Sequence, residues 1–116
     1  MLFRSRRVME NIPLLSRITI YPVKSLDGMA LREAMIADGG CLLHDREYAI
    51  VDADGNFIIG KTNPLVHSLR SSVDFEHGFI SFRRSEETEW KQFHLEEDTS
   101  AIHSYLTEYF GIPSVL

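Results

Sequence analysis

"LVHSLRSSVDFEHGFISFRR", residues 65–84, alternates with a period of two on either side of a Glu-His-Gly break. Successive side chains of a strand point to opposite faces, so Leu65, His67, Leu69, Ser71, Val73 and Phe75 fall on one face. Val66, Ser68, Arg70, Ser72, Asp74 and Glu76 fall on the other. The first face reads as core and the second as solvent, the mark of an antiparallel sheet covered on one side only. "FISFRR", residues 79–84, then returns as the partner strand.

The same signal extends in both directions. "SRITIY" (16–21) predicts a first strand, stopped by Pro22, which cannot donate to a ladder. "LREAMIA" (31–37) predicts a second, closed by Asp38-Gly39-Gly40. "REYAIVDADGNFIIG" (46–60) predicts a hairpin that turns at Ala53-Asp54-Gly55-Asn56. Beyond a polar turn at Ser85 to Thr88, "WKQFHL" (90–95) adds one more strand. The last segment changes period: Ile102, Tyr105, Leu106, Tyr109 and Phe110 recur at helical spacing, with Asp98 or Thr99 as caps, Gly111 past the end and Pro113 beyond. The expected fold is mainly β (α+β): an antiparallel β-barrel of about six or seven short strands with a C-terminal amphipathic helix, closure removing exposed edges.

A chain of 116 residues is one domain's length, and 44% apolar with 25% charged residues is the balance of a folded globular protein. Residues 1–15, with Arg4, Arg6 and Arg7, read as a flexible leader and 16–116 as the domain. No apolar run approaches the ~18 residues that span a bilayer, and the start lacks a secretory pattern, so the expectation is no membrane and a cytoplasmic location. Nine Lys/Arg against eight Asp/Glu make residues 1–70 weakly positive (+1), whereas three against nine leave 71–116 at −6. That acidity disfavours nucleic acid, whose binding rests on neutralised phosphates. A single cysteine, Cys41, excludes an intrachain disulfide and a two-thiolate metal site, and its apolar surroundings predict a small buried hydrophobe.

Three segments could carry chemistry. In "YPVKSLDG" (21–28) Lys24 and Ser25 follow a strand end, where an ammonium and a hydroxyl can grip a phosphate, although taken alone a solvated lysine and a turn-forming serine are the better account of the pair. In "HDREY" (44–48) Arg46 shares strand parity with Tyr48 and Ile50 and so is expected at the barrel mouth, with Asp45, Glu47 or Asp27 as ion-pair partner. His44 and Asp45 are neighbours on a strand and face opposite ways, which argues against a catalytic dyad. In "GKTNPLVH" (60–67) Lys61, Thr62 and Asn63 form a polar bend, and His67 reads as a hydrogen-bonded core histidine because no second ligand stands at metal-binding spacing. No nucleophile-base pair, glycine-rich phosphate loop or metal set appears, so neither catalytic nor metal residues are assigned.

Taken in order, "ITIYPVKSLDGMALREAMIADGGCLLHDREYAIVDADGNFIIGKTNPLVHSLRS" resembles the N-terminal β-barrel domain of the MOSC proteins, the superfamily named for the molybdenum cofactor sulfurase C-terminus. The match runs from about residue 16 to "YLTEYFGIP". The resemblance implies an accessory domain preceding a larger MOSC domain that supplies the molybdenum-binding cysteine. Members include amidoxime-reducing components, bacterial reductases of N-hydroxylated compounds and cofactor sulfurases. It further implies that Lys24, Ser25, Arg46 and Lys61 help hold the phosphorylated pterin tail of the molybdenum cofactor (molybdopterin) and shape the substrate entrance. Lys61 falls where relatives often carry arginine, so it keeps the charge and loses the bidentate fork.

Cys41 does not match the family's metal ligand, and the chain ends at Leu116 about where the second domain would begin. The expectation is therefore half a site: no enzyme activity and no cofactor for the isolated chain, with a MOSC catalytic domain in cis or in trans as partner and a redox protein as a further one. Three charge-assisted contacts contribute at most about 5–9 kcal/mol. Association and ordering cost about 4–15 kcal/mol, leaving millimolar affinity or weaker. The alternative is a stand-alone β-barrel interaction module without catalytic activity.

Overall fold

The computed structural model describes residues 2–4 and 18–116. In chain order these form β1 (Leu2–Arg4), β2 (Ile18–Ile20), β3 (Met29–Leu31), β4 (Glu33–Met35), β5 (Val51–Asp52), a 3-10 turn (Pro64–Ser68), β6 (Leu69–Asp74), β7 (Phe79–Arg84), β8 (Lys91–His94), α1 (Thr99–Phe110) and β9 (Ser114–Val115). Among the described residues the strands pair antiparallel in five ladders that form four sheets: β1 with β4, β2 with β3, β5 with β9, and β6-β7-β8 as a three-stranded sheet. The mainly β architecture with one C-terminal amphipathic helix is as expected. Among the described residues the ladders remain separate rather than closing into one hydrogen-bonded ring, and the main core cluster packs residues of β6, β7 and α1 with Val23, Leu26, Ile50, Ile58 and Val66. The other residues of the expected leader, and Ser16 and Arg17 of the first predicted strand, lie outside the described residues.

The period-two alternation of residues 65–84 holds where the backbone is a strand. Leu69, Ser71 and Val73 of β6 are buried, as are Ile80 and Phe82 of β7, with Ile80 opposite Val73. Helix α1 lays Ile102, Leu106, Tyr109 and Phe110 onto this sheet, and Phe82 stacks on Tyr105 with ring centres 5.6 Å apart. Each such side chain contributes about 1.5–3 kcal/mol on burial, so the sheet-helix interface is the main source of stability. Gly111 takes the left-handed conformation (φ 72°) just past the helix and donates to the Thr107 carbonyl, as its place in the sequence predicts. Asp98 stands at the start of α1, but its carboxylate accepts from the His94 N–H at 2.7 Å, tying the helix to the end of β8.

Between residues 64 and 68 the alternation misleads. Pro64 and the Asn63 side chain, which accepts from the Leu65 N–H at 3.1 Å, start a 3-10 turn. Three residues per turn bury Val66 and expose Leu65 and His67, the reverse of the strand reading. His67 is therefore not a core histidine; its Nε2 lies 3.2 Å from the Gly60 carbonyl oxygen at the surface. The predicted strand 31–37 is also divided: β3 pairs with β2 as far as Leu31, and β4 pairs with β1 from Glu33. Cys41 is exposed, not buried, because the left-handed Gly39 and Gly40 (φ 93° and 89°) carry the chain outward before it.

The hairpin at 50–58 forms. The Asp52 carboxylate accepts from the N–H groups of Asp54 and Asn56, both at 2.9 Å, and Ile58 N–H donates to the Ile50 carbonyl at 2.8 Å. Gly55 (φ 81°) supplies the turn that a residue with a Cβ would strain.

Candidate functional site

The segments that carry Lys24 and Arg46 are joined side by side. Arg46 N–H donates to the Tyr21 carbonyl at 2.6 Å, Tyr48 N–H to Pro22 at 2.9 Å, and Lys24 N–H to Tyr48 at 2.9 Å, with a parallel bridge between Val23 and Tyr48. Backbone dimensions then keep the Cα atoms of Lys24 and Arg46 within about 15 Å. Ser25 follows Lys24, exposed and left-handed (φ 70°).

Each cation already has a neighbour. The Lys24 ammonium lies 4.2 Å from the centre of the Phe57 ring, whose residue is 53% exposed. The Arg46 guanidinium donates to Asp45 at 2.5 Å and lies over the Tyr21 ring. Asp45 also accepts from the Tyr21 N–H at 2.8 Å, so one carboxylate fixes both the backbone and the arginine. With the Arg46 side chain 56% exposed, the pair is a surface ion pair that leaves guanidinium donors free.

Arg46 is not on a strand: φ is 50°, and His44 two residues earlier is left-handed as well (φ 68°). The parity argument for a barrel-mouth position therefore fails, and the side chain points along the surface to Tyr21. Of its three candidate partners Asp45 takes it. Glu47 pairs instead with His44 at 2.9 Å, and Asp27 accepts from Arg70 at 3.3 Å and from the Ser71 N–H at 3.0 Å. His44 stacks on Phe75, ring centres 3.8 Å apart, and makes no pair with Asp45. Lys61 is exposed in the bend after the hairpin arm, and among the described residues no contact links it to the other three.

Tyr21, Phe57 and Asp45 complete the arrangement, and of these only Asp45 is expected from the sequence. An aromatic residue at the first position after the Asp-Gly-Asn turn was the signal available for Phe57. Burial, followed by the Glu47 carboxylate, pushes the Tyr48 hydroxyl above its ordinary 10.0. Among the described residues no three His, Cys, Asp or Glu side chains gather as a metal would require, and no helix is long and apolar enough to cross a membrane.

Fold and site together define a small mainly β domain in which segments 21–24 and 46–48 are joined through their backbones. The family described as the MOSC N-terminal beta barrel domain matches residues 12–112, and the chain belongs to it. It is 35% identical over 74 residues to a molybdenum cofactor sulfurase of Oryza sativa subsp. japonica, covering 64% of this chain and 9% of the relative. It is 32% identical over 71 residues to a molybdenum cofactor sulfurase of Arabidopsis thaliana, covering 61% of this chain and 8% of that protein. The chain thus corresponds to under a tenth of the curated relatives it matches. No solved structure matches it.

Proposed function

We propose that the chain acts as the accessory N-terminal domain of a MOSC protein and that Lys24, Ser25 and Arg46 hold the phosphorylated pterin tail of a molybdenum cofactor at the edge of a MOSC catalytic domain. The observation that carries this reading is the backbone junction of 21–24 with 46–48, which sets an ammonium, a hydroxyl and a guanidinium on adjoining segments. The donor set fits a phosphate ester: the guanidinium offers a planar fork, the ammonium a point charge, and the hydroxyl a neutral donor. The left-handed backbone at Ser25 and Arg46 is the kind of local cost that is concentrated at binding sites.

When bound, the cofactor supplies the molybdenum that reacts with substrate. The residues of this chain orient its tail and exclude water from one side. Lys61 keeps a peripheral electrostatic role, shaping the entrance at long range. The two sulfurase relatives support a sulfur-transfer setting; a reductase role, a cytoplasmic location and a redox protein as further partner belong to the same proposal.

A second reading, an interaction module without catalysis, draws on a groove of about 600 Å³ beside Phe57, lined also by Ile58, Ile59 and Ile112. Titration of the isotope-labelled chain with millimolar phosphorylated pterin separates the two. The clamp requires amide shifts in 21–25 and 46–48; shifts confined elsewhere would overturn it and leave the module.

A further inference from the structure

The sheet β6-β7-β8 buries Leu69, Val73, Ile80 and Phe82 on one side and turns a different set of residues outward. On that outer face register sets Arg70 directly across from Arg83, and Ser72 across from Ser81, which faces Gln92 on the other side. Just before β8 stands Trp90, 45% exposed, with the Arg83 guanidinium 4.9 Å from its ring centre. Ser72, Ser81, Trp90 and Gln92 line a shallow depression of about 420 Å³.

Like charges directly opposite on neighbouring strands destabilise a sheet, so the Arg70–Arg83 pair needs a reason. Asp27 offsets Arg70 at 3.3 Å. Arg83 has no such offset among the described residues: the two N–H bonds of its Nη1 are shared among the carbonyls of Arg84, Ser85 and Glu87 at 3.2, 3.3 and 2.8 Å, and its charge meets no carboxylate. Those shared bonds hold the guanidinium in place, so little side-chain entropy remains to be lost on binding. The exposed indole offers a flat apolar wall, and the two hydroxyls and the amide offer a floor of donors and acceptors. Arg83 belongs to the segment 71–116 of net charge −6 and Arg70 stands at its edge, so the positive pair is local, which suits a small anion rather than an extended polyanion.

We propose that this outer face is a binding site for an aryl phosphate: a phosphate received by Arg83 with Arg70 beside it, its ring laid against Trp90 over Ser72, Ser81 and Gln92. The site is separate from the Lys24–Arg46 clamp and does not depend on it.

Trp90 is the only tryptophan in the chain, so its fluorescence reads the site directly. Titration of the full chain with phenyl phosphate is expected to give a saturable change in emission, with benzyl alcohol and inorganic phosphate each about tenfold weaker or more, the scale of one lost charge-assisted contact. Arg83→Gln should weaken phenyl phosphate by a similar factor. Because that change also removes carbonyl bonds, Ser81→Asp serves as a second variant, adding a repelling charge to the floor while leaving Arg83 in place. Amide shifts should map to 70–72, 81–83 and 90–92; those in 21–25 and 46–48 report the clamp separately. The absence of saturation, an equal response to benzyl alcohol, or binding untouched by both variants would overturn the proposal.

Discussion

The main-chain N–H of Arg46 donates to the Tyr21 carbonyl at 2.6 Å while the guanidinium of the same residue lies over the Tyr21 ring, 5.1 Å from its centre. One residue thus anchors both the backbone and the charge of Arg46, and the left-handed φ of 50° is the conformation that satisfies both.

A substitution series at Arg46 tests whether that backbone is enforced. Glycine adopts φ > 0 freely, so Arg46→Gly should stay within about 1 kcal/mol of the parent, the relieved conformation offsetting the lost ion pair. Arg46→Val, β-branched, should lose about 2 kcal/mol or more. Urea unfolding measures both, and equal tolerance of valine and glycine would sink the argument.

Tyr109 donates from its hydroxyl to the Leu65 carbonyl at 2.5 Å, pinning α1 to the 3-10 turn. Tyr109→Phe leaves that carbonyl without its partner and should cost about 1–3 kcal/mol. Thermal unfolding should show a drop of several degrees in Tm, on the order of 4–8 °C per kcal/mol for a domain near this size.

Burial raises the hydroxyl pKa of Tyr48, Tyr105 and Tyr109 above the ordinary 10.0. The folded state therefore binds these protons more tightly than the unfolded chain. Their contribution to stability is fully present below pH 10, and it is lost as pH rises through the raised folded values. Thermal melts across pH 8 to 12 should be flat with respect to these groups at first and then fall, and less steeply in Tyr109→Phe.

Phe82 is fully buried between the sheet and Tyr105. Phe82→Ala should cost about 3–5 kcal/mol, a large share of the ~5–15 kcal/mol available to a domain. Circular dichroism would show partial or complete unfolding at 37 °C; a fully folded, cooperative variant would mean that the sheet-helix interface is not the main core.

Cys41 is exposed, so an aromatic disulfide reagent should label it stoichiometrically under native conditions, without denaturant. Labelling that requires unfolding would restore the buried reading that its apolar neighbours invited.

Residues whose local backbone is regular were legible. Leu69, Ser71 and Val73 followed strand parity, and Ile102, Leu106, Tyr109 and Phe110 followed helical spacing, because burial demands a constant face along a constant repeat. Val66, His67 and Cys41 were misread, since a 3-10 turn and two left-handed glycines change the repeat without changing the apolar pattern. Lys24, Ser25 and Arg46 could be named as a phosphate-gripping set by family resemblance; their actual neighbours, Phe57, Tyr21 and Asp45, could not.

By itself the order of residues determined the class of fold, the β6-β7 pairing, the hairpin at Asp52–Asn56, the limits of α1 and the membership of the family. Periodicity and turn chemistry are local, and local interactions are written in neighbouring letters. Only the tertiary structure decided that segment 21–24 lies beside 46–48 and that Arg70 stands opposite Arg83. Such pairings depend on how distant segments share one core and satisfy each other's backbone hydrogen bonds, a condition on the whole chain that no short window contains.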